Sequence, residues 1–141
     1  MTATLVLDSS ILVAALKADE EKHSECKRLL ELIKEGRYFA IEPYTVLVEV
    51  VAAVKRRTGS EMLAERIETD LINMSNIEFL DIVENRALGA SQIARKSSIR
   101  GMDAVVIQIC KEMDSRLVTL DDEMVEKSKG IVETKTLDSL L

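Results

Sequence analysis

The run Thr4-Leu5-Val6-Leu7-Asp8-Ser9-Ser10-Ile11-Leu12-Val13-Ala14-Ala15-Leu16 decides how the rest of the chain is read. An unbroken apolar stretch, Thr4–Leu7, ends abruptly at an acid, and two serines separate it from a second apolar stretch, Ile11–Leu16. A short apolar run bounded by polar residues suits a strand buried on both faces, and Ser9 or Ser10 can cap a helix that follows. The reading is strand, tight turn, helix.

Working outward, the same signal recurs near the other end of the chain, where Leu117-Val118-Thr119-Leu120 runs into Asp121-Asp122. Between them, Cys26, Leu29, Leu30 and Ile33 repeat at helical spacing before a stop at Gly36. Tyr38–Ile41 reads as a strand halted by Pro43, Tyr44–Arg57 as a helix closed by Thr58-Gly59, and Ser60 as the start of another through Met62, Leu63, Ile67 and Leu71. Ile77–Ile82 alternates like a strand. Glu84–Ser97 is predicted helical with Leu88, Ile93 and Ala94 as its apolar side, and a further helix after Gly101 carries Val105, Val106, Ile109, Cys110 and Met113. A last helix over Glu123–Lys129 and a strand over Ile131–Thr134 complete the pattern. Strands alternating with helices predict an α/β fold, a three-layer α/β/α arrangement around a mostly parallel sheet. With one proline, five scattered glycines and no low-complexity or charge block, residues 1–141 read as one unit.

Composition narrows the chemistry. A chain of 141 residues buries roughly 68–70% of its unfolded surface, enough for a core without metal or disulfide staples. No apolar run approaches the ~18–20 residues of a membrane span, and Met1-Thr2-Ala3-Thr4 lacks the basic start of a secretory leader, so a soluble, cytoplasmic protein is expected. Cys26 and Cys110 are far apart and read as reduced core thiols; His23 is the only histidine and reads as a solvated helix residue. Zinc sites and Ser–His or Cys–His pairs therefore have almost nothing to work with. The 19 basic against 25 acidic residues, a net charge of −6, argue against a protein that coats nucleic acid by bulk charge.

Four acids have contexts unlike those of surface carboxylates. Asp8 and Asp121 follow strands, the edge where open α/β sheets bind ligands, although each can also simply cap the next helix. Glu49 is the one charge within Val46–Val54, a segment apolar enough for a buried helix, with Thr45, Ala52, Ala53 and Arg56 on its side. Such a carboxylate faces a cavity or pairs with a buried cation. Asp103 falls in the first turn of a helix, where the dipole also favours an acid. If the sheet gathers all four at one edge, their mutual repulsion calls for a cation, and hard oxygen ligands select Mg²⁺ or Mn²⁺. A metal-bound water attacking phosphorus needs no histidine. Arg56 and Arg57 beyond Glu49, and Arg100 before Asp103, suit a phosphate-binding rim, or equally cations at helix termini. Only four aromatics exist, too few for a base-stacking platform, and Tyr44 reads as core.

The order Val6-Leu7-Asp8-Ser9-Ser10, Pro43 with Val48-Glu49-Val50, Asp103-Ala104 and Val118-Thr119-Leu120-Asp121 resembles the PIN domain, and the short layout is similar to the VapC-type toxins of toxin–antitoxin pairs. The resemblance runs from about Thr4 to Thr134. It implies a Mg²⁺- or Mn²⁺-dependent endoribonuclease in which Asp8, Glu49, Asp103 and Asp121 hold the metal and activate water, leaving a 5′-phosphate and a 3′-hydroxyl. Ser10 and Thr119 match positions that help shape such a site. A homodimer and a small inhibitory antitoxin are implied as partners, with RNA as substrate. Alternatives are an RNA-processing PIN nuclease without an antitoxin, a non-catalytic PIN scaffold, and a receiver-like phosphoacceptor module.

Overall fold

The computed structural model describes residues 3–141. Met1 and Thr2, part of the stretch read above for a leader, lie outside the described residues.

Strand β1 (Ala3–Leu7) stands at the centre of a five-stranded sheet. Leu5, Val6 and Leu7 alternate between the two faces of the pleat, yet all three are buried, at 1%, 0% and 0% exposure, so both faces are covered. The other strands are β2 (Tyr38–Pro43), β3 (Ile77–Leu80), β4 (Arg116–Val118) and β5 (Glu133–Thr134), in the order β3-β2-β1-β4-β5. Every pairing is parallel. From β1 the chain steps outward through β2 to β3, then returns to the far side of β1 for β4 and β5. The direction reverses between β1 and β4, and a crevice opens there at the strand carboxyl ends. Receiver-like sheets run 2-1-3-4-5, so this order sets the phosphoacceptor alternative aside.

Helices α1 (Ser9–Leu16), α2 (His23–Lys34), α3 (Tyr44–Thr58), α4 (Glu61–Ile72), α5 (Glu84–Ser97), α6 (Gly101–Glu112) and α7 (Asp122–Ser128) connect the strands. The predicted stripe of α2 is buried as Cys26, Leu29, Leu30 and Ile33. α3 stops where Gly59 takes the left-handed conformation, φ +71°, and donates its N–H to the Lys55 carbonyl at 2.8 Å. Ser60 caps α4 by accepting from the Leu63 amide at 3.0 Å. α6 packs against β1, β2 and β4 through a nearly all-apolar surface that includes Ala104, Val106, Ile107 and Ile109. Among the described residues no helix is long and apolar enough to cross a membrane.

Several local expectations need correction. Of the capping residues offered for α1, it is Asp8 and not Ser9 or Ser10 that serves, its side chain accepting from the Ser9 amide while the Ser10 hydroxyl is engaged with Asp8 and the Leu120 amide. α3 is not buried all round: Val48 is 66% exposed, and Tyr44, stacked on Phe79 at 5.6 Å between ring centres, is exposed rather than core. Leu88 likewise points outward, leaving Ala90 and Ile93 to pack α5. His23 is half-buried and donates from Nδ1 to the Ala14 carbonyl at 2.8 Å, tying α2 to α1. Ile131 and Val132 precede β5 instead of forming it, and a short final helix, α8 (Leu137–Leu140), carried no sequence signal. The Tyr38 hydroxyl holds α8 by donating to the Leu140 carbonyl at 2.7 Å.

Candidate active site

Asp8 leaves β1 at the crevice with its amide still bonded to the Val118 carbonyl of β4, at 2.9 Å, so the sheet itself fixes where the carboxylate stands. It is 6% exposed. Oδ1 accepts from the Ser9 amide at 2.8 Å, while Oδ2 accepts from the hydroxyls of Ser10 at 2.9 Å and Thr119 at 2.8 Å. Both hydroxyls are fixed in turn from the β4 side: Ser10 Oγ accepts from the Leu120 amide at 3.1 Å, and Thr119 Oγ1 from the Asp121 amide at 3.0 Å. Ser10 and Thr119 thus lock the ends of β1 and β4 together around one carboxylate.

Asp121 divides its two oxygens. Oδ1 caps α7, accepting from the amides of Glu123 at 2.9 Å and Met124 at 3.4 Å. Oδ2 is turned to Arg100, whose Nη2 lies 3.4 Å away. The capping role and the cavity-facing role foreseen as alternatives for the strand-end acids are therefore both present in Asp8 and Asp121. Asp121, not Asp122, lines the cavity.

Glu49 enters from α3 and Asp103 from the first turn of α6. All four acids line one cavity of about 780 Å³, together with Ala52 and Ala53, whose small side chains leave the space beside Glu49 open. Oε1 of Glu49 is buried and has no hydrogen-bond partner, and no cation is paired with this residue among the described residues. Burial, then the nearby charges of Asp8 and Asp103, push the Glu49 carboxyl above its ordinary range, with Arg100 opposing. Asp103 is raised in the same way, by burial first and then by Asp8; Arg100 opposes, and Asp121 adds to the rise.

The three arginines differ in their surroundings. Arg56 lines the cavity, is exposed and forms no ion pair among the described residues. Arg57 is held at the rim by Glu20, from the loop between α1 and α2. Arg100 contacts Asp103 Oδ2 through Nε at 3.3 Å besides its contact with Asp121.

A sequence profile of the PIN domain matches residues 5–130. The chain belongs to the PIN domain family. No protein among curated sequences matches it. Among solved structures, this PIN domain is similar to VapC20 of Mycobacterium tuberculosis, described as a sarcin-ricin loop cleaving toxin. The TM-score is 0.72 at 18% identity, covering 93% of this chain and 98% of that one. It is also similar to VapBC2 from Rickettsia felis bound to promoter DNA, with TM-score 0.71, 15% identity and coverage of 94% and 98%. A third likeness is to DNA-bound VapBC from Salmonella typhimurium, at 0.69, 15%, 97% and 99%. These likenesses match the fold: a parallel sheet flanked by helices.

The donors of this PIN domain fit a hard divalent cation. All four are carboxylates, one Glu49 oxygen is buried without a partner and can accept a ligand, and like-charge crowding accounts for part of the rise at Glu49 and Asp103. Among the described residues no three acidic, histidine or cysteine side chains stand close enough together to hold a metal ion as they are placed; the four acids share the lining of one cavity.

One residue of the PIN domain escaped the sequence reading. Glu42, on β2, is fully buried, its Oε1 accepting from the Leu7 amide at 2.6 Å and its Oε2 without a partner. Burial drives its carboxyl well above the ordinary range; the Leu7 amide opposes this and Asp8 adds to it. The ladder between β1 and β2 pairs residues only as far as Leu5 with Ala40, and the Glu42 side chain takes over the bond that a backbone carbonyl would otherwise supply to the residue before Asp8. Its place between Ile41 and Pro43 in an apolar strand was the available signal.

Proposed function

We propose that this PIN domain is a metal-dependent endoribonuclease and the toxin of a toxin–antitoxin pair. The observation that carries the reading is the convergence of Asp8, Glu49, Asp103 and Asp121 on one cavity, where a Glu49 oxygen lies buried without a partner. These four residues would hold Mg²⁺ or Mn²⁺. Bound there, the ion acidifies a water and offsets charge on the phosphoryl oxygens. Ser10 and Thr119 orient Asp8, and the hydrogen bonds they donate fix its carboxylate in place. Arg56 offers an uncommitted guanidinium to a phosphate of the substrate, while Arg57 must first exchange Glu20 for it.

RNA as substrate and a small antitoxin as partner are supported by the descriptions of the VapC and VapBC structures that share the fold. A homodimer is supported by apolar side chains left exposed near the outer edge of the sheet, Tyr44 at the start of α3, stacked on Phe79 of β3, with Ile82 and Val83 after β3. Residues 1–141 act as one unit in this reading, in the cytoplasm.

The test is cleavage of RNA in Mg²⁺ or Mn²⁺ by Asp8→Asn and Asp103→Asn. Each is expected to lose at least about a hundredfold in rate, the scale on which a preorganised electrostatic group acts, with the fold kept, as circular dichroism would report. Undiminished cleavage by both variants would sink the reading.

A further inference from the structure

Resting on the metal reading above, we infer that Arg100 is an internal counter-ion of the acidic cavity, holding the carboxylate oxygens a divalent cation needs and leaving them when that cation binds. Asp8 has both oxygens engaged by local donors, and Asp121 commits Oδ1 to the amides at the start of α7. The oxygen of Asp121 left for a ligand is Oδ2, and that is the atom Arg100 touches. Asp103 is met on Oδ2 as well, so the two arms of one guanidinium span two acids from different elements. A guanidinium and a metal ion cannot share these oxygens along the same approach. One must displace the other.

The mounting of Arg100 suits a group that moves. Its backbone is fixed, because Ile99 is buried on one side and α6 begins on the other, and the Lys127 ammonium holds the Ser98 carbonyl at 3.0 Å. Its side chain, by contrast, is 77% exposed, makes no other hydrogen bond among the described residues, and meets the two acids at the long end of the hydrogen-bond range. Exposed pairs of this kind hold weakly, and a divalent ion ligated directly by the same oxygens outcompetes them. Once displaced, the guanidinium stays tethered at the cavity wall, which it lines together with Arg56, and the anion within its reach is a substrate phosphate. Metal binding would then convert an inhibitory contact into a phosphate contact.

The experiment is titration of the intact protein with Mn²⁺ alone, followed by electron paramagnetic resonance, for the wild type, Arg100→Ala and Arg100→Lys. Arg100→Ala is expected to bind Mn²⁺ about fivefold to tenfold more tightly, the scale of two exposed ion pairs removed. Arg100→Lys, which keeps the charge but cannot fork, is expected to fall between. Wild-type binding with equal or weaker affinity in Arg100→Ala overturns the inference while leaving the metal reading standing. Failure of the wild type to bind Mn²⁺ at millimolar concentration overturns the metal reading and this inference with it. Thermal unfolding of each variant checks that the fold is kept.

Discussion

Thr119 and Asp8 are 111 residues apart in sequence and 2.8 Å apart in space, the Thr119 hydroxyl donating to Oδ2 of the carboxylate. Thr119 Oγ1 in turn accepts from the Asp121 amide at 3.0 Å, so one hydroxyl positions two of the four acids. Thr119→Val keeps the shape and removes the hydroxyl, leaving the Asp121 amide without its acceptor. A loss of about 1–3 kcal/mol in unfolding free energy is expected. Cleavage and Mn²⁺ affinity should fall with it, and Thr119→Ser should restore all three. Urea unfolding and metal titration of the pair check this.

Glu42 gives a stability signature whose sign can be worked out. Its folded pKa is raised, so between the unfolded value, 4.5, and the folded value the native state keeps a proton that the unfolded chain has released. The contribution of this group is full below the unfolded pKa and is lost as pH rises toward the folded one. Across that window the wild type should lose about 1.4 kcal/mol per pH unit relative to Glu42→Gln, which still accepts from the Leu7 amide and carries no charge. Denaturant midpoints from pH 5 upward measure the difference. Parallel pH profiles for the two proteins would contradict it.

Metal binding should be sensitive to pH for the opposite reason. Glu49 and Asp103 must be ionised to act as ligands, and both have their pKa raised, chiefly by burial. Mn²⁺ affinity is therefore expected to weaken on acidification at a pH above the ordinary carboxylate range. Glu49→Gln should bind more weakly at neutral pH and show a shallower dependence. Titrations at a series of pH values test it.

Ala52 separates space from charge. It lines the cavity beside Glu49 and carries no ligand atom, so Ala52→Leu narrows the groove and leaves the acids in place. RNA cleavage is expected to fall through a raised KM, with Mn²⁺ affinity unchanged. Because the position is half-buried at the cavity wall, stability should move by no more than about 0.5 kcal/mol. An equal loss of metal binding would mean that the two functions share this wall.

Much of the site could be read from the chain because strand-end acids follow from local order: a short apolar run that stops at Asp8 or at Asp121 leaves the carboxylate at the sheet's edge wherever the sheet goes. Glu49 was legible for a different reason, as a charge in an otherwise apolar helix. Side-chain pairing was not legible. That Arg57 is tied to Glu20 and Arg100 to two acids depends on how the loop before α2 and the turn before α6 are folded, and no periodicity encodes that. Tyr44 and Val48 show the converse failure. Apolar residues at the start of α3 look like core, yet Tyr44 lies over Phe79 of the edge strand β3 and Val48 lines the acidic cavity, so neither is enclosed. Glu42 stands out as an acid after a continuous apolar run, but its role was not legible, because the run does not reveal where the ladder to the next strand ends.

The order of the strands also has a consequence for when the protein becomes competent. β1 is made early, but its partner on one side is β4, and the threonine and aspartate that complete the cavity follow β4 directly. A nascent chain that has already emerged with Asp8, Glu49 and Asp103 has only β2 to pair with β1, and the fourth acid is not yet at hand. Assembly of the site thus waits until β4 has been laid beside β1, whatever has folded before it.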